Sequence, residues 1–174
     1  YRIQVDLTDE DNSLISKLKK QSVSLGSIVD FCIGIQVGGE GDSKDFKAEF
    51  ISDRKLTDDY KKVLDGKDFV PFVTNWSGKY INYGNWLHRK RDAKYFINPK
   101  IIVRQIGEVP IASIDLEGYY CLNTIYTGII TDKKYNIQYL LGILNSRICK
   151  YVWRKLYSDG KSLYPKIKKR QLND

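Results

Sequence analysis

Lys100 to Tyr126 reads KIIVRQIGEVPIASIDLEGYYCLNTIY, and the fold class turns on it. Three runs rich in apolar and β-branched residues, Ile101–Val103, Ile111–Ile114 and Tyr119–Ile125, are separated by turn residues at Gly107–Pro110 and Asp115–Gly118. Such runs, bounded by Gly, Pro and Asp, predict strands joined as two consecutive β-hairpins. The first run ends in Arg104-Gln105, which places two planar hydrogen-bonding side chains at a sheet edge. They form either a recognition surface or an ordinary strand end.

Working outward, Asp68 to Thr74 predicts a strand that Pro71 pushes to a sheet edge. Trp76-Ser77-Gly78-Lys79-Tyr80 predicts a turn shaped by Trp76 and Tyr80, with Tyr80–Tyr83 returning antiparallel to that strand. Thr57 to Leu64 predicts a short helix capped by Thr57 and stopped by Gly66. Ser27 to Val37 predicts a mostly buried strand. The glycine cluster Gly38–Asp42 after it lacks the Gly-Lys-Ser/Thr closure of a phosphate-binding loop, yet leaves room for a ligand backbone beside Gln36. Thr8 to Lys20 predicts a surface helix capped by Thr8 or Asp11, with acids first and lysines last.

Downstream, Ile137, Leu140, Leu141, Leu144, Ile148, Tyr151, Val152 and Leu156 recur at helical spacing. They predict one long amphipathic helix over about residues 136–157, capped by Asn136 and ended by Asp159-Gly160. Arg147, Lys150 and Arg154 share another face, where the dipole of a single long helix already favours late cations. The expected fold is α+β: a mixed, mainly antiparallel sheet of hairpins, a long C-terminal amphipathic helix and short peripheral helices. One domain spans residues 1–174.

Composition narrows the class. Apolar residues are 42% and charged residues 29% of 174, the balance of a globular domain. No apolar run reaches the roughly 18 residues that span a bilayer. Cys32, Cys121 and Cys149 are too few for a complete disulfide set and suit small buried residues in a reducing cytoplasm. The chain starts at Tyr1 and has no methionine, as expected of a piece of a longer protein. Net charge is +8, but residues 1–65 carry 10 Lys+Arg against 13 Asp+Glu, and residues 66–174 carry 19 against 8. A basic half of this kind points to a polyanion, with a generally basic surface as the plainer account.

Inventory excludes most catalysis. His88 is the sole histidine, no paired cysteine spacing supports zinc, and no nucleophile elbow is present. Glu49 with Asp53-Arg54-Lys55 is a weak echo of a nuclease core, and there is no Asn-Pro-Pro-Tyr, Asp-Pro-Pro-Tyr or Rossmann fingerprint. The chain is expected to be no enzyme by itself and to hold no metal. Binding is better supported: aromatics are 13%, and many stand beside cations, as in Lys79-Tyr80, Lys94-Tyr95, Lys150-Tyr151 and Tyr164-Pro165-Lys166. Cations neutralise phosphates, rings stack or wedge, and Arg and Gln read guanine and adenine edges.

Several segments in order now carry a resemblance. Trp76-Ser77-Gly78-Lys79-Tyr80 is followed by Pro99-Lys100-Ile101-Ile102-Val103-Arg104-Gln105-Ile106-Gly107 and Gly118-Tyr119-Tyr120-Cys121-Leu122-Asn123-Thr124-Ile125-Tyr126. Tyr139-Leu140-Leu141-Gly142-Ile143-Leu144-Asn145-Ser146 and Tyr164-Pro165-Lys166-Ile167-Lys168 complete the set. Over about residues 25–174 the chain resembles the TaqI-like C-terminal specificity domain, the target-recognition part of type II restriction–modification enzymes that methylate adenine N6. The chain stops at Gln171-Leu172-Asn173-Asp174, where that family leads one to expect a further apolar-proline segment.

The resemblance implies a parent with an adenine methyltransferase domain, often joined by a nuclease. S-adenosylmethionine and Mg2+ then belong to the parent, and no cofactor to this piece. It implies duplex DNA as partner, clamped opposite the methyltransferase domain, with the target adenine flipped into that domain. Gln36, Arg104 and Gln105 become base-edge candidates. Lys79, His88, Arg89, Lys90, Arg91, Lys161, Lys168 and Lys169 become phosphate contacts, with Trp76 and Tyr80 shaping their turn. The rivals are an RNA or general polyanion-binding module, a subunit-interaction domain using the outer side of the Ile137–Leu156 helix, and, more distantly, a divergent nuclease.

Overall fold

The computed structural model of the chain describes residues 7–39, 41–43, 46, 48–157 and 165–174. The decisive stretch forms its first hairpin as expected. β7 (Lys100–Arg104) and β8 (Ala112–Asp115) pair antiparallel from Lys100↔Asp115 to Val103↔Ala112. The paired ends are locked by a fully buried ion pair, in which the Lys100 ammonium donates to the Asp115 carboxylate and to Phe96 O. Burying both charges is tolerable because hydrogen bonds satisfy them on several sides.

The second hairpin does not form. After β8 the chain wraps around Asp115, whose carboxylate accepts the N–H groups of Glu117, Gly118 and Tyr119 at 2.8–3.1 Å. The third run is then split by a turn closed by Ile125 N–H to Leu122 O (2.9 Å). Its start, β9 (Tyr120–Cys121), pairs parallel with β3 (Tyr60–Leu64) in a second sheet. Its end opens β10 (Ile125–Ile130), which returns to the first sheet beside β7.

The first sheet runs β1–β10–β7–β8, with β1 at Val29–Ile33 and every pair antiparallel. The second runs β2 (Ile51–Ser52), β6 (Tyr80–Asn82), β3, β9. Because side chains alternate along a strand, the first sheet is buried on both faces. Ile101, Val103 and Tyr126 join a core with Leu140, Leu144 and Trp153, while Ile102 and Ile125 join another with Leu64, Phe96 and Cys121. Gly128 sits opposite Phe31, and a Cβ there would stand 2.6 Å from the Phe31 ring, so its absence lets that ring lie flat in the core.

Three local expectations are corrected. The helix expected over Thr57–Leu64 is strand β3: it pairs with both β6 and β9 and buries Tyr60, Val63 and Leu64. So short a segment cannot hold a helix alone, and the pairing on both sides outweighs its local preference. Tyr80–Asn82 returns beside β2 and β3, not beside Asp68–Thr74. That stretch is itself a tight hairpin, β4 (Phe69–Val70) and β5 (Val73–Thr74), turning at Pro71-Phe72.

Most helices lie on the outer face of the first sheet, and one short helix lies on the other, its Phe96 packed with Ile102 and Ile125. α1 (Asp9–Gln21) carries the expected cap: Thr8 N–H donates to Asp11 Oδ2 (3.0 Å) and Asp11 N–H to Thr8 Oγ1 (3.2 Å). α2 (Lys94–Ile97) and α5 (Lys169–Asn173) are short. The single helix expected over about 136–157 is two, α3 (Ile137–Asn145) and α4 (Arg147–Tyr157), and its Asp159-Gly160 stop lies outside the described residues.

Two cap-type residues make the break. Ser146 takes an extended ψ of 154° and its Oγ accepts Cys149 N–H at 3.1 Å. The Asn145 amide turns to β8, exchanging bonds with Ala112 N–H (3.1 Å) and Ala112 O (2.9 Å). Arg147 and Lys150 therefore stand in the first turn of α4, so the dipole accounts only for Arg154.

Candidate nucleic-acid interface

β1 ends where the chain changes sheets. Gly34 N–H donates to Ile125 O (2.9 Å) in the first sheet, and Ile35 N–H to Cys121 O (2.7 Å) in the second. A Cβ at position 34 would stand 2.2 Å from Leu122 O, so this crossing requires glycine. Gln36 follows at once and forms an isolated antiparallel bridge with Arg89. Gln36 N–H donates to Arg89 O (3.2 Å), Arg89 N–H to Gln36 O (3.0 Å), and His88 N–H to Val37 O (3.0 Å).

That bridge joins two of the segments singled out in the sequence. The His88 and Arg89 side chains are exposed. Lys90 Nζ donates to Asn85 Oδ1 (2.7 Å) and lies 5.5 Å from the Tyr83 ring centre. Arg91 instead turns inward at a left-handed φ of 68°, with its carbonyl accepting Tyr83 OH at 2.8 Å. The Gln36 amide donates to Gly38 O (3.1 Å), which orients it along the glycine loop.

Gln105 reaches the same crossing from the other side. Its N–H donates to Thr124 O (2.8 Å), and Asn123 N–H donates to Ile35 O (2.8 Å). The Asn123-Thr124 link is thus flanked by the segments that carry Gln36 and Gln105. Ile167 N–H donates to Gln105 O (2.8 Å), and Ile106 bridges Lys166, so residues 165–167 lie along the end of β7. This brings exposed Lys166 beside Gln105, with exposed Lys168 and Lys169 following in the chain. Burial pushes the Cys32 thiol up, while Arg91 and Lys169 pull it the other way, so both cations act on one flank of β1. Lys161 lies outside the described residues.

Arg104 is not presented to solvent in this way. Its guanidinium donates to Phe69 O and lies 5.5 Å from the Phe69 ring centre, with Nε buried and without a partner among the described residues. Trp76 Nε1–H donates to Lys79 O (2.9 Å), and its ring meets Tyr80 edge-on at 5.2 Å. Lys79 pairs with Asp53. This group lies across β3 from β9, away from the Gln36–Gln105 crossing.

Sequence reasoning missed three residues here. Asn123 offers an exposed amide at the crossing, Lys166 an exposed cation beside Gln105, and Lys62 lies 4.8 Å over the Trp76 ring. The signal for Asn123 was the polar pair Asn123-Thr124 interrupting the third run.

The basic flanks and paired amides suit a polyanion with readable edges, and the family agrees. Residues 61–174 match the TaqI-like C-terminal specificity domain. The chain belongs to that family. Its role is DNA sequence specificity in restriction–modification enzymes, and a specificity domain of this kind is typically non-catalytic. No curated protein matches the chain in sequence. Among the described residues no group of three or more His, Cys, Asp or Glu is placed to hold a metal ion, and no helix is long and apolar enough to cross a membrane.

Proposed function

We propose that this specificity domain reads a site on duplex DNA through the crossing at Asn123-Thr124. Gln36, Gln105 and Asn123 contact base edges there, while His88, Arg89, Lys90, Lys166, Lys168 and Lys169 hold the phosphates on either side. The observation that carries this reading is the backbone geometry bringing Gln36 and Gln105, distant in sequence, to one link bordered by exposed cations. Amides accept and donate together, as adenine edges require, and cations fix the register of the duplex.

In the parent, the domain is proposed to hold the duplex against an adenine-N6 methyltransferase domain of the same polypeptide, in the cytoplasm, with the target adenine flipped out. S-adenosylmethionine, and Mg2+ where the parent also cleaves, serve those other domains. This chain's residues orient and neutralise. They carry no step of the transfer.

Enrichment of duplexes from a randomised pool tests the reading. The unmodified chain is expected to enrich one short motif, and Gln36→Ala to relax preference at one position by about 1–3 kcal/mol. Failure to enrich any motif, or equal binding of single-stranded RNA, overturns it.

A further inference from the structure

The β4–β5 hairpin ends in an apolar tip. Val70, Phe72 and Val73 are 49%, 58% and 48% exposed, with Pro71 between them. In the type II form of a two-residue turn, with proline first, the second position takes a positive φ, which glycine or asparagine adopts at little cost. Phe72 takes it instead, at φ 70°. A bulky ring in the left-handed region is strained, and an exposed aromatic ring gains nothing from burial to offset that strain. Two costs at one residue mark a position shaped by something other than the fold.

The tip is held rigid. Phe72 N–H donates to Ala112 O (3.0 Å), and Thr74 Oγ1 donates to Ser113 Oγ (2.9 Å). Arg104, through its bond to Phe69 O, ties the base of the hairpin to the end of β7, and the next residue on that strand is Gln105 at the crossing. That tether sets the hairpin beside the strand end that leads into the proposed DNA interface, which favours the same duplex over a separate protein partner.

We propose that Phe72, flanked by Val70, Pro71 and Val73, is a wedge that enters between base pairs of the bound duplex and unstacks a step. This rests on the reading above that duplex DNA is the ligand. Apolar residues of this kind, presented on a stiff support, open base steps and bend DNA. The left-handed backbone keeps the ring pointed outward before DNA arrives, so less order has to be imposed on binding.

The test uses the whole chain and duplexes it has enriched from a randomised pool, resynthesised with 2-aminopurine at each step in turn. A fluorescence rise confined to one step is expected on binding. Phe72→Gly removes the rise and weakens binding about tenfold, leaves the salt slope unchanged, and leaves Tm unchanged or raised because the strain is gone. Phe72→Leu retains part of the rise. The wedge is overturned if the unmodified chain binds with the usual salt dependence but unstacks no step, if Phe72→Gly binds as tightly as the parent, or if its Tm falls along with binding. Absence of any enrichment or salt-sensitive binding by the unmodified chain instead defeats the DNA reading, and the wedge with it.

Discussion

Arg89 and Arg104 both take part in backbone pairing, Arg89 in an isolated bridge and Arg104 at the end of β7, yet the fold treats their side chains in opposite ways. Among the described residues Arg89 is paired only through its backbone, to Gln36, and its side chain is exposed. Arg104 has its guanidinium drawn back onto Phe69. What separates them is a neighbour remote in sequence: a glycine-lined loop lies beside one and an aromatic hairpin beside the other. Where a cation stands on the backbone does not decide how it is used; the groups its side chain meets, and how far it stays open to solvent, do.

The contrast is sharpest at Lys100, the most completely enclosed cation. Lys100→Ala leaves Asp115 buried without its counter-ion and is expected to cost about 3–5 kcal/mol, read as a large fall in the urea midpoint. A small fall would mean that the Glu117, Gly118 and Tyr119 N–H groups alone suffice for that carboxylate. Arg104→Ala comes next, with about 1.5–3 kcal/mol lost with its charged hydrogen bond. Site preference in enrichment should then stay the same in the protein that remains folded. A relaxed base preference at full stability would restore Arg104 as a reader and set it beside Arg89.

Arg89→Ala should leave stability within about 0.5 kcal/mol and flatten the salt slope of DNA binding by about one. An unchanged slope would remove Arg89 from the phosphate contacts. A last test concerns an anion committed as Arg104 is. Asp11 accepts Lys155 Nζ at 2.7 Å and Tyr151 OH, joining α1 to α4, and Lys155, Tyr151 and Thr8 hold its carboxyl well below the usual carboxylate range. A lowered folded pKa stabilises above the unfolded value and is lost as pH falls. The Tm difference between the parent and Asp11→Asn should therefore be flat above about pH 4 and shrink below it. A difference that instead grows in acid would contradict the clasp.

What could be read from the sequence follows how local each signal is. The Thr8–Asp11 cap and the β7–β8 hairpin depend on residues close in the chain, and both were legible. The helix break was written in Asn145-Ser146, two residues that favour caps, but the apolar stripe runs through it because α3 and α4 pack on one core. β3 was misread because its strand character comes from β6 and β9, neither of which is adjacent. The candidate site divides the same way. Residue types suited to DNA were visible, whereas the union of Gln36 with Arg89, and of both with Gln105, depends on a sheet crossing that no local pattern encodes.

The bonds around Ala112 have one more consequence. β8 is the last strand of the first sheet, and its outward N–H and C=O would otherwise offer a template for a foreign strand. The Asn145 amide occupies both Ala112 groups, and Phe72 N–H shares the carbonyl. A single side chain thus imitates one residue of a neighbouring strand, and with Thr74 Oγ1 on Ile114 O it covers that border of the sheet. Substituting Asn145 would therefore reopen a route to aggregation, beyond any stability lost with the bonds themselves.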